Sequence, residues 1–131
     1  NPITCSAFFG AYFIGSLILY LGSAFLNYDI GRSVQQTSDG GYVICGTTEL
    51  FSGNVDGDVY LIKTDSLGDS LWTQTFGGTS IDEGSSVQQT TDGGYILVGN
   101  TNSLTITLEE YEVELVYLIK TDGNGNEQWA Q

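Results

Sequence analysis

Gly31–Thr48 reads GRSVQQTSDGGYVICGTT, and Gly84–Thr101 reads GSSVQQTTDGGYILVGNT. Twelve of these eighteen positions are identical at an offset of 53. A second block follows in each copy: VYLIKTDSLGDSLWTQ at Val59–Gln74 and VYLIKTDGNGNEQWAQ at Val116–Gln131, with ten identities in sixteen at an offset of 57. A period in the low fifties marks an array of blades or solenoid turns, in which one repeat cannot bury its own apolar face alone. The chain beyond Asp29 is therefore two copies of one β unit, residues 29–81 and 82–131.

Each copy has the same four-strand grammar. Ser33–Thr37 is the first strand, and Ser38–Asp39–Gly40–Gly41 turns it into Tyr42–Thr48. Asp-Gly between extended runs is a strong hairpin signal, because glycine supplies the positive φ that a tight turn demands. The second copy keeps it as Thr91–Asp92–Gly93–Gly94. A polar loop leads to Asp58–Thr64, where Tyr60 and Ile62 face one way and Val59, Leu61 and Lys63 the other. The turn Asp65–Gly68 then leads into Leu71–Phe76. Trp72 and Trp129, Tyr42 and Tyr95, and Tyr60 and Tyr117 are expected as equivalent core anchors of the two repeats. The loop between strands two and three is four residues longer in the second copy, and it carries Glu109, Glu110, Glu112 and Glu114. Insertions between repeats fall in loops.

The first 28 residues have a different character. Asn1–Tyr28 contains no charged residue, and Ile3–Leu26 is apolar on every side. At about 1.5 Å per residue such a run is long enough to cross a bilayer core of roughly 30 Å, so the sequence predicts one long apolar helix over residues 1–28. Ala7, Ala11 and Gly15 recur at i, i+4 and i+8, and Gly22 lies seven beyond Gly15. Small residues at this spacing let helices approach closely where water is excluded. A signal peptide is the first alternative, but no Lys or Arg precedes the run. A buried core helix is another.

Composition restricts the chemistry. The chain has 131 residues, no His, three basic residues (Arg32, Lys63, Lys120) and sixteen acidic ones, for a net charge of −13. Nucleic acid is a poor partner for such a surface, because phosphate binding needs Lys and Arg. The lack of His removes the usual general base and the commonest transition-metal ligand. Cys5 and Cys45 have no metal-type spacing; Cys45 stands where the second copy has Val98 and reads as a small core hydrophobe.

The strings SVQQTxDGGYxxxG, VYLIKTDxxGxxxW and FGGTSIDEG, taken together over Asp29–Gln131, resemble the tandem repeats of secreted bacterial and archaeal β-propeller proteins. That resemblance implies four strands to a blade, a secreted or cell-surface location, and a non-catalytic interaction module with no cofactor. Two repeats leave open edges where a closed propeller needs at least four blades. The alternative is a sandwich of two four-stranded sheets. An uncharged N-terminal helix ahead of a small β domain also resembles archaeal type IV-type pilins. There the helix packs in a filament core and the β domain faces outward.

Four clusters bear on chemistry. Asp122–Glu127, DGNGNE, has oxygen ligands at alternate positions, as calcium favours, but Glu127 stands where a helix–loop–helix site needs Gly, and a tight turn fits better. The four glutamates of the long loop read as a solvated acidic arm. Asp82 and Glu83 could be imagined as a glycosidase pair, but Asp82 recurs as Asp29, which favours a structural role. Lys63 and Lys120 occupy equivalent positions and read as scaffold. The expected function is a non-catalytic extracellular structural protein. It assembles with copies of itself through the N-terminal helix into a filament or surface layer, acidic domain outward. The alternative is a secreted or membrane-anchored propeller-like binding module.

Overall fold

The computed structural model describes residues 26–51, 57–103 and 114–131. Eight strands form two four-stranded antiparallel meanders. Sheet I holds β1 (Leu26–Gln36), β2 (Tyr42–Phe51), β3 (Gly57–Thr64) and β4 (Ser70–Phe76) in that order. Sheet II holds β5 (Asp82–Gln89), β6 (Tyr95–Thr101), β7 (Leu115–Thr121) and β8 (Glu127–Ala130). The duplicated sequence is thus duplicated structure, down to a register shift at the same place in each first strand, Gly31/Ser33 and Gly84/Ser86. A bulge there brings the Ile30 and Glu83 carbonyls so close to Gly46 and Gly99 that a Cβ would sit 1.8 and 1.9 Å from them. The glycine at this point of each repeat is therefore obligatory.

The expectation of a long helix over residues 1–28 is corrected. Among the described residues there is no helix, and β1 already begins at Leu26. Residues 26–28 pair with 49–51 of β2, so that end of the run satisfies its backbone in a ladder. Residues 1–25, with Ala7, Ala11, Gly15 and Gly22, lie outside the described residues. Among the described residues no helix is long and apolar enough to cross a membrane.

Strand pairing assigns every side chain to a face, because directly paired residues share one. On sheet I the front carries Val43, Cys45, Val59, Leu61 and Phe76, all at most 7% exposed. Its back carries Val34, Tyr42, Ile44, Tyr60 and Ile62. Sheet II repeats the assignment but reverses the burial. Its back carries Val87, Tyr95, Leu97 and Ile119, all at most 6% exposed, whereas Val98 and Val116 on its front are 38% and 70% exposed. The front of sheet I is packed against the back of sheet II, with β5 lying across β1, β2 and β3. The two sheets meet through non-equivalent faces, as successive members of a stack do.

Candidate interaction site: the seam between the repeats

The seam is built from the motif that opens each repeat. β1 and β5 each lie at one edge of their sheet, so half of their amides point away from their own ladders. The Val87 amide donates to Ser33 Oγ at 3.4 Å and the Gln89 amide to Gln35 Oε1 at 2.6 Å. The Ser38 amide returns a bond to Gln89 Oε1 at 2.8 Å. Ser, Gln and Gln of SVQQ thus each work across the seam, and the Val between them is the buried filler at position 87. Arg32 adds an ion pair to Glu83 at 3.1 Å, between partly exposed side chains.

Further out, Gly84 lies flat on sheet I. A Cβ there would come within 2.4 Å of the Gly46 carbonyl oxygen and 2.6 Å of Cys45 Sγ. Burial pushes the Cys45 thiol up to about 11. The Trp72 ring stands edge-on to Tyr95, centroids 5.9 Å apart, and packs under the turn at Gly125.

Each first hairpin carries a polar pin. The Asp39 carboxylate accepts from Thr37 Oγ1, from the Gly41 amide at 3.0 Å and from Lys63 Nζ at 2.9 Å. Asp92 repeats the arrangement with Thr90, Gly94 and Lys120. The threonine hydroxyl first, then the lysine and the backbone amide, hold both carboxyls well below the usual carboxylate range. Lys63 is 4% exposed, and its ammonium also donates to the Thr64 carbonyl at 2.8 Å. These lysines are fully occupied as clamps between β3 or β7 and the turn. Gly40 and Gly93 close the same turns at φ of 84° and 83°.

The structure separates the imagined Asp82–Glu83 pair. Asp82 is fully buried, its Oδ2 accepting from the Gly78 amide and from Ser103 Oγ, both at 2.7 Å. Glu83 turns to the opposite face, as neighbours on a strand must, and reaches Arg32. Among the described residues Asp82 Oδ1 and Thr47 Oγ1 are buried without a protein partner. Asp122–Glu127 forms a tight turn: Asp122 Oδ1 accepts from the Asn124 and Asn126 amides at 2.9 Å, and Oδ2 accepts from Asn126 Nδ2. Glu114 accepts from Asn100 Nδ2 at 2.7 Å; Glu109, Glu110 and Glu112 lie outside the described residues. Among the described residues no three acidic or cysteine side chains gather as a metal site.

The six expected core aromatics are not equivalent. Tyr95 is 2% exposed, Tyr42, Tyr60, Tyr117 and Trp72 are half-buried, and Trp129 is 42% exposed. The placing of Trp129 in the core is corrected. It lies beside Lys120 on the front of sheet II, the face that sheet II itself covers on its neighbour. Sequence reading also missed Gly84 and the Arg32–Glu83 pair. Glu83 stands where the first copy has Ile30, and Arg32 where the second has Ser85, so the repeat pattern itself gives no sign of them.

A scan of the sequence against family models gives no match, and a search of curated proteins gives none either.

Proposed function

We propose that this is a non-catalytic extracellular structural protein that assembles with its own kind into a filament or surface layer, its acidic β domain outward. The observation that carries the proposal is the use made of the duplicated polar residues. Ser33, Gln35 and Gln89 tie sheet to sheet, and Asp39, Lys63, Asp92 and Lys120 tie strand to turn. Residues that an enzyme would keep free for substrate are engaged in holding blades. The net charge of −13 suits a surface bathed in salt. The uncharged run over residues 3–25 adds an apolar segment whose burial, in lipid or among copies, stabilises by roughly 25 cal/mol per Å². The four-stranded blade form favours a second reading, a secreted or membrane-anchored propeller-like scaffold that binds a partner.

Electron microscopy of the protein from its source cells, with fractionation, tests the choice. Fibres or a lattice in the surface or secreted fraction are the expected result. A dispersed monomer in the cytosolic fraction would overturn it, and a discrete secreted particle carrying a foreign partner would move the function to the second reading.

A further inference from the structure

The backbone-to-side-chain bonds and the apolar contacts of Val87 and Trp72 that hold repeat two onto repeat one have matching residues at the outer faces. The front of sheet II presents Ser86 and Gln88, the matches of the acceptors Ser33 and Gln35. The back of sheet I presents Val34 and Gln36, the matches of the donors Val87 and Gln89. The same side chain is buried or bare according to which face is covered. Val87 is 6% exposed and Val34 66%; Val59 is 0% exposed and Val116 70%. Trp72 lies under the Gly125 turn, and Trp129 is open where the matching Gly68 turn of a further repeat would sit. A hollow lined by Ser86, Gln88, Ile96, Val98 and Leu118 marks the same open front.

We infer that the front of sheet II is the docking site for the back of sheet I of a second copy of this chain. The occupant follows from the established intramolecular seam, which the outer faces would continue with the same residue types. This inference deepens the self-assembly proposed above and rests on it. The contact is head-to-tail: each copy offers one front and one back, so the product is a closed ring or an open fibre. Ser86 Oγ and Gln88 Oε1 would accept from the Val34 and Gln36 amides of the next copy, and the Thr91 amide would donate to that copy's Gln36. The Arg32–Glu83 pair is not renewed, because the matching residues are Ser85 and Ile30. Association therefore works against like charge with no compensating ion pair and strengthens as salt screens it.

The polarity of the contact allows a complementation test on the full chain by sedimentation velocity in about 0.5 M salt, where screening reaches only a few ångströms. Wild-type chain is expected to associate. Val98→Glu spoils only the front, and Val34→Glu only the back. Each alone should weaken association roughly a hundredfold, since a carboxylate would be buried without a partner. Mixed one to one, they should form a 1:1 dimer that grows no further, because one intact front meets one intact back. Gly31→Ala gives an independent check of the back face. Among the described residues its methyl meets nothing closer than Ile44 Cγ2 at 3.8 Å, yet the match of its position, Gly84, lies flat on the neighbouring sheet. It should leave circular dichroism and melting unchanged and weaken association.

Variants that associate like the wild type would sink the docking site while leaving self-assembly standing, through residues 1–25 or another surface. A wild-type chain that stays monomeric would remove both. A mixture of the two variants that stays monomeric would overturn the head-to-tail geometry.

Discussion

Two glycines at the same position of the repeat should respond to one methyl group by very different amounts. At Gly84 an added Cβ falls 2.4 Å from the Gly46 carbonyl oxygen and 3.0 Å from Val59 Cγ1, both inside the seam. Neither atom can retreat cheaply, because one is backbone and the other is fully buried. At Gly31 the nearest atom among the described residues is 3.8 Å away, which is ordinary contact. Gly84→Ala is expected to destabilise the chain by about 1–3 kcal/mol through overpacking, and Gly31→Ala by less than about 0.5 kcal/mol. Urea denaturation at a protein concentration low enough to keep the chain dispersed measures both. Equal losses would mean that the two glycines have equal surroundings, contrary to the seam described here. The sequence prints the same letter at both positions, which is why this difference was not legible in it.

At the scale of the hairpin, the turn chemistry was legible and its clamp was not. Asp-Gly-Gly between extended runs predicted the turn because only glycine takes the positive φ that it needs. The lysine that locks it sits 24 residues away in the first repeat and 28 in the second, and only the folded sheet brings it back. The pins make stability depend on acid. Asp39 and Asp92 are held below the ordinary carboxylate range in the folded chain by hydrogen bonds to the charged form, and Asp122 is lowered by Asn126. A carboxyl with a depressed folded pKa binds its proton more readily when unfolded. Its contribution is therefore fully present above the unfolded value, about 3.9, and is lost as pH falls below that toward the folded value. The melting temperature should hold from neutral pH down to about 5 and drop below about 4. Asp39→Asn with Asp92→Asn should flatten that acid limb while lowering the plateau, since each substitution leaves a buried ammonium short of its counter-ion. An acid limb of unchanged steepness in the double variant would show that other carboxyls set it.

Across the whole molecule, burial is decided by stacking order. Alternation along Asp58–Thr64 gave the correct division into Val59, Leu61 and Lys63 on one face and Tyr60 and Ile62 on the other. Nothing local says which face of which copy is covered, because Val59 and Val116 stand in the same pentapeptide, VYLIK. The tryptophans turn this into a measurement. Trp72 touches Tyr95 and the Gly125 turn, so removing its ring opens a gap between the sheets. Among the described residues no sheet lies in front of Trp129, which is 42% exposed. In a dispersed chain Trp72→Ala should lose about 2–4 kcal/mol, somewhat less than full burial would give, and Trp129→Ala less than about 1 kcal/mol. Fluorescence of the two single-Trp variants gives a second readout. The variant that keeps Trp72 should emit further to the blue and resist acrylamide quenching, and the one that keeps Trp129 should be quenched readily. Raising the concentration until copies associate should then protect Trp129 and leave Trp72 unchanged, since the front of sheet II gains a neighbour while Trp72 lies on the front of sheet I, which sheet II already covers. If both rings are equally shielded in the dispersed chain, the front of sheet II is not open and the asymmetry between the repeats is wrong.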